Sequence, residues 1–177
     1  MANTKRYVIT AITLGLICAA SGALIGATNA ITAKQIEQNE KDNIQRGFAE
    51  IYGQNPVVSD PTPIEGKDYT NQVYTVEIEG VEGVQYAFRA DGSNMYGKIS
   101  MLVGFDSFNQ FKGMSIIANT QTYASTLNQN YIDKIKTAEN KSEKIEDVKC
   151  GATYGATLIR DMIHEAQGVL NQINPKE

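Results

Sequence analysis

The chain opens on a long apolar stretch. From Tyr7 to Ala30 there is no charged residue, and Val8 to Ala27 is mostly Ile, Leu, Ala, Gly and Thr. Roughly 20 residues of this kind are enough to carry a helix across a bilayer. Lys5 and Arg6 precede the stretch, and Lys34 is followed by the acidic Glu37, Glu40 and Asp42. This bias predicts a cytoplasmic N-terminus, with the remainder outside. A cleaved signal peptide is the alternative, since Thr28-Asn29-Ala30 is a passable cleavage site, but its apolar core would be shorter. A lipoprotein anchor on Cys18 would call for a small residue ahead of the cysteine, where Ile17 stands. Gly15, Ala19, Gly22 and Gly26 share one helical face. That pattern admits a second transmembrane helix, and it also arises simply because Gly and Ala are common in such helices.

Downstream, Thr32 to Tyr52 keep a helical period, with Ile36, Ile44, Phe48 and Ile51 near one face and polar residues on the other. Gly53 and Asn55-Pro56 end this helix, and Asp60-Pro61-Thr62-Pro63 reads as a stiff connector. From Asn71 the period becomes two: Val73, Thr75, Glu77 and Glu79 alternate with Tyr74, Val76 and Ile78. Gly80 to Gly83 reads as a turn, Val84 to Ala90 as a second strand, and Asp91-Gly92 as its end. Lys98 to Phe105 and Gly113 to Asn119 form another strand pair joined by Asp106 to Gln110. Asn128 to Ala138 predicts a short helix and Glu139 to Glu146 a polar loop. Thr157 to Ile173 predicts a final helix whose stripe is Leu158, Ile159, Met162, Ile163, Ala166, Val169, Leu170 and Ile173. The pattern is that of an α+β fold in which an N-terminal transmembrane helix precedes a small domain with a twisted antiparallel sheet and flanking helices. Its expected divisions are 1–30, 31–70 and 71–177.

Composition narrows the function. A chain of 177 residues, 42% of them hydrophobic, suits one globular domain with an appendage. Sixteen Lys and Arg against twenty Asp and Glu, net charge -4 and no basic run leave no electrostatic footprint for nucleic acid. Cys18 lies inside the apolar stretch, so it cannot meet Cys150 in a bridge, and the fold does not rest on disulfides. One histidine, His164, and no close cluster of ligand residues argue against structural zinc. Redox chemistry would therefore need an organic cofactor.

The segment Asp147-Val148-Lys149-Cys150-Gly151-Ala152-Thr153 stands between the polar loop and the last helix. Gly151 and Ala152 leave room for a large group to approach the backbone, and the helix start offers unpaired N–H groups to an anion. By spacing alone, a capping Thr in a tight turn is the more ordinary explanation of the segment, since many helix starts carry Gly and Thr.

This run resembles the flavinylation motif of the FMN-binding domain shared by the G subunit of the Rnf electron-transport complex and the C subunit of the sodium-pumping NADH:quinone oxidoreductase. In that family an Asp precedes a Ser/Thr-Gly-Ala-Thr run, and a flavin transferase joins FMN to the last Thr through a phosphoester. The resemblance makes Thr153 the attachment residue, Asp147 the upstream acid and Gly151-Ala152 the small pair, while Cys150 departs from the usual Ser/Thr. Tyr154-Gly155-Ala156-Thr157 offers a second Gly-Ala-Thr. Asp147 is in register only with Thr153, which leaves Thr157 as a cap or first-turn residue.

The resemblance covers roughly residues 73–167 and includes Tyr96-Gly97-Lys98-Ile99, Val103-Gly104-Phe105-Asp106 and Gly113-Met114-Ser115-Ile116. Where the family shows a His and then Glu-Thr-Pro-Gly-Leu-Gly beside the isoalloxazine, this chain reads Asn119-Thr120-Gln121-Thr122-Tyr123-Ala124-Ser125-Thr126-Leu127. Thr122 and Leu127 survive there, and Tyr123 is a candidate to stack on or cover the flavin. The resemblance implies a single-pass membrane protein with covalent FMN outside the membrane, matured by a flavin transferase. It would be an electron carrier within an Rnf-type ion-translocating complex rather than an independent catalyst, with other membrane electron-transport subunits as partners. A stand-alone flavoprotein fed by a quinol-linked donor, and a flavin-free binding or scaffold protein of the same fold, are the other readings.

Overall fold

The computed structural model describes residues 2–53 and 56–176, with side chains from Lys5 onward. Two units are distinguished, Met1–Asp42 and Asn43–Glu177. The first holds helix α1 (Ala2–Tyr52) as far as Asp42, and its apolar side chains from Tyr7 to Ile31 are exposed. The helix is long and apolar enough to cross a membrane. Its hydroxyls find acceptors within the helix: Thr10, Thr13 and Thr28 donate to the carbonyls of Arg6, Ile9 and Leu24 at 2.9, 2.9 and 2.8 Å. Such back-bonding lets a polar side chain sit in hydrocarbon without a water partner.

The second unit begins with the last turns of α1. Ile44, Phe48, Ile51 and Tyr52 recur at helical spacing and pack on one sheet face, against Tyr74, Val76, Ala87, Leu102 and Ile117. The Tyr52 hydroxyl donates to the Tyr86 carbonyl at 2.6 Å and accepts from the Phe105 N–H at 3.2 Å. Burial pushes this phenol above its ordinary range. The Gly53 N–H bonds the Ala49 carbonyl at 2.9 Å and closes the helix. Asn55, expected to help end it, lies outside the described residues.

Among the described residues six antiparallel strands follow: β1 (Val57–Val58), β2 (Thr62–Pro63), β3 (Thr70–Glu77), β4 (Gln85–Asn94), β5 (Gly97–Phe105) and β6 (Phe111–Asn119). Their order is β1-β3-β4-β5-β6, and β2 pairs a second stretch of β3. The proline-containing segment is thus an edge of the sheet rather than a free connector, with Thr62 opposite Val73 and Pro63 opposite Gln72. An edge is where a residue without an N–H is tolerated. In β3 the alternation holds, with Tyr74 and Val76 buried and Thr75 and Glu77 exposed.

One strand end is corrected. β4 does not stop at Asp91-Gly92 but pairs with β5 as far as Asn94 opposite Gly97. The Asp91 carboxylate accepts hydrogen bonds from Asn71 and Ser100, so the acid is satisfied within the sheet. The turn moves three residues on.

The opposite face carries Phe88, Ile99, Met101, Val103, Phe105 and Met114. It is covered by α5 (Thr153–Ile173) and by a helical run made of α2 (Ala124–Leu127), a π turn (Asn128–Ile132) and α3 (Asp133–Thr137). This run starts four residues before the expected Asn128. The expected polar loop also contains a short helix, α4 (Lys141–Ile145). It is capped by the Asn140 side chain, which accepts from the Glu143 N–H at 3.2 Å, and anchored by buried Ile145. One buried residue in five is too few to register as a period.

The α5 stripe is buried as expected from Leu158 to Leu170, while Ile173 is exposed. Glu165 ties α5 to β3 by accepting the N–H groups of Asp68, Tyr69 and Thr70 at 3.0, 2.9 and 2.6 Å. Partial burial works against its charge, but these bonds prevail and hold the carboxyl below the ordinary glutamate range. The result is the expected α+β arrangement, with helices on both faces of the sheet.

Candidate functional site

The site is built around the start of α5, which begins at Thr153 and not near Thr157. Cys150 and Ala152 are buried in the core and pin the approach. Gly151 between them has φ 84°, a conformation that an L side chain enters only with strain. The Ala152 carbonyl then accepts from the N–H groups of Gly155 and Ala156 at 3.0 and 3.1 Å. This leaves the N–H groups of Thr153 and Tyr154 without a partner among the described residues, as a helix start requires. Thr157, now in the second turn and half-buried, cannot cap the helix. The first turn can form early because buried Ala152 supplies the first carbonyl without a side-chain cap.

Thr153 is exposed and borders a cavity of about 390 Å³. Its walls also include Tyr96, Gln121, Tyr123, Leu127 and Tyr154. These residues come from the β4–β5 turn, the segment after β6, α2 and the first turn of α5.

Asn94 joins three of these parts. Its Oδ1 accepts from the Tyr96 N–H at 2.8 Å and from Gln121 Nε2 at 3.0 Å, and its Nδ2 donates to the Tyr154 carbonyl at 3.1 Å. The Thr122 N–H and hydroxyl both donate to the Tyr96 carbonyl, at 2.8 and 3.2 Å. Gly97 lies so close to this segment that an added Cβ would run into the Thr120 carbonyl. The Tyr96 ring has its centroid 5.9 Å from that of Tyr123 and 5.4 Å from that of Tyr154.

Chemically, the helix start can take an anion and the rings can take a flat apolar group. Among the described residues, no three His, Cys, Asp or Glu are grouped to hold a metal ion.

Residues 1–51 match the family model of the RnfG N-terminal region. The flavinylation-like run at 147–153 lies outside that match. The helix that is long and apolar enough to cross a membrane lies in this matched region. None of the curated proteins matches the chain.

Of the residues expected at the site from the sequence, Gly151, Ala152, Thr153 and Tyr123 come together on the cavity. Thr122 adjoins it, but its hydroxyl is engaged by the Tyr96 carbonyl. Cys150 is buried, and its carbonyl accepts from Asn130 Nδ2 at 3.1 Å. Neither it nor Thr157 borders the cavity. Asp147 is also not part of the wall. It is exposed and paired with Lys144 at 2.7 Å, a hydrogen-bonded contact that holds its carboxyl below the usual aspartate range. His164 is exposed, with Nε2 2.7 Å from Glu146 Oε1.

Asn94, Tyr96, Gln121 and Tyr154 were not singled out as site residues. For the turn, a signal existed: Asn94 and Gly97 occupy the first and fourth positions that a tight turn favours. The stronger turn dipeptide Asp91-Gly92, just upstream, drew the strand end to itself.

Proposed function

We propose that the chain carries one FMN, esterified through its phosphate to the Thr153 hydroxyl, and relays electrons as the G-like subunit of an Rnf-type membrane complex. The observation that carries this reading is the position of Thr153. The one hydroxyl in motif register stands exposed in the first turn of a long helix, on the rim of a cavity walled by three tyrosines. The residues present fit the group. Gly151 places no side chain in the approach, two N–H groups are free for a linking phosphate, and the cavity falls within the usual range for small-molecule sites.

When bound, the flavin supplies the redox chemistry. The chain does the rest. Thr153 tethers the group, and the start of α5, with its dipole, favours the negative charge of the link. No proton-transfer residue is needed for the tether to hold. A covalent link suits a domain outside the membrane, where a dissociable coenzyme would be lost by dilution. Lys5 and Arg6 ahead of the span favour that topology. A flavin transferase would make the bond, and other membrane electron-transport subunits would be the partners.

The segment 119–127 motivates a second reading, a stand-alone anchored flavoprotein with a quinol-linked donor, because Gln121 and Tyr123 stand where the resembling family has other residues. Co-purification with membrane subunits from the native host decides for the complex.

The attachment itself is tested by denaturing gel fluorescence after co-expression with a flavin transferase. A fluorescent band that disappears in Thr153→Val is the expected result. A dark wild-type band rejects the attachment and favours a flavin-free protein of this fold.

A further inference from the structure

Two large aromatic side chains stand at the mouth of the cavity with little over them: Tyr123 is 55% exposed and Tyr154 64%. Tyr96 lies between them, and the rings are inclined at 59° and 43° rather than stacked. No pair uses the full face of its partner, so ring surface remains for a flat ligand.

The wall beside them holds Gln121, only 7% exposed. Its Nε2 donates to Asn94 Oδ1 at 3.0 Å and to the Gly97 carbonyl at 2.6 Å. Both donors face oxygens, and this sets the amide's orientation, since the reverse would oppose oxygen to oxygen. The remaining atom, Oε1, has no partner among the described residues. It faces Gly155 on the cavity wall, 3.4 Å from where a Cβ there would stand. A buried amide with both donors engaged and its acceptor free is set up to receive one N–H.

We infer that this cavity takes the isoalloxazine ring itself, with Tyr96, Tyr123 and Tyr154 covering the ring and Gln121 Oε1 accepting the imide N–H at its pyrimidine edge. The inference rests on the FMN reading for the tether, but it concerns a separate contact. An acceptor-only group selects a ring whose edge presents a donor, and three inclined phenols select a broad planar face. No bond forms or breaks, so the site is one of binding and orientation.

The test uses the full-length chain in detergent, both loaded by a flavin transferase and unloaded. In the loaded chain, stacking on tyrosine should quench flavin emission in the native state and denaturation should restore it. Tyr154→Leu, a change at an exposed position, should raise the native emission and leave the denatured band unchanged. In the unloaded chain, added FMN should be quenched saturably, and Tyr154→Leu should weaken its binding about 5- to 10-fold, the scale of losing one stacking ring. Gln121→Leu should weaken it as well while retaining the quench at saturation.

A fluorescent band on Thr153 with equal native and denatured emission, or with emission unmoved by Tyr154→Leu, overturns the ring site and leaves the attachment standing. A dark band with saturable, Tyr154-dependent quenching of added FMN does the reverse. A dark band without quenching removes both.

Discussion

Asn94 connects three walls of the cavity, so Asn94→Ala should loosen them together. Three bonds are lost: from the Tyr96 N–H at 2.8 Å, from Gln121 Nε2 at 3.0 Å and to the Tyr154 carbonyl at 3.1 Å. They are not equal. Gln121 is buried, so the hydrogen it loses to Asn94 has no water to replace it, a cost of about 1–3 kcal/mol. The Tyr96 N–H and the Tyr154 carbonyl lie nearer solvent and can rehydrate, at about 0.5–1 kcal/mol each. The expected loss is therefore about 2–5 kcal/mol for Asn94→Ala, from the upper part of the usual range for one substitution to beyond it. Asn94→Asp keeps the accepting oxygen for Tyr96 and Gln121 but turns a second carboxylate oxygen toward the Tyr154 carbonyl in place of the donor, so it should cost about 1–2 kcal/mol, less than Asn94→Ala. Denaturant unfolding of the full chain in detergent, followed by tyrosine emission, measures both. Equal losses in the two variants, or less than about 0.5 kcal/mol for Asn94→Ala, would mean that the turn is held by its backbone alone.

Two further outcomes follow from particular residues. Gly151→Ala forces a side chain into a φ of 84°, with its Cβ 3.4 Å from Thr126 Cγ2, and should cost about 1–2 kcal/mol. Flavin per mole of protein on a denaturing gel should fall with it, and unchanged loading and stability would refute the geometry of the approach. Glu165 has its carboxyl held low in the folded chain, so the unfolded chain binds its proton more readily. Its contribution is therefore full above the ordinary glutamate value, about pH 4.3, and is lost as the pH falls through the lower folded value. Glu165→Gln should lower stability at neutral pH and flatten this acid limb, and parallel pH profiles for the two proteins would count against the reading.

The apolar run at 8–27, the period of two from Asn71 and the period of 3.6 in the last helix were legible because each repeats over many residues. Repetition of that kind reports which face of an element is buried, whatever it packs against. Thr153 stood out in the sequence for another reason: the motif it resembles is a continuous stretch of chain. Short elements were not legible. The helix at Lys141–Ile145 has one buried residue, and the end of β4 depends on Asp91 meeting Asn71 and Ser100 across the sheet. Nor could the residues alone set the first turn of α5, because the burial of Cys150 and Ala152 brings it forward to Thr153.

The cavity belongs wholly to the tertiary structure. Tyr96, Gln121 and Tyr154 are far apart in sequence, and only strand pairing and helix packing bring them to one wall. The sequence by itself determined the helix long and apolar enough to cross a membrane, the class of fold and which hydroxyl stands in motif register. Tertiary contacts decided what surrounds that hydroxyl, because a free acceptor or an uncovered ring is defined only by what the rest of the chain has left unpaired.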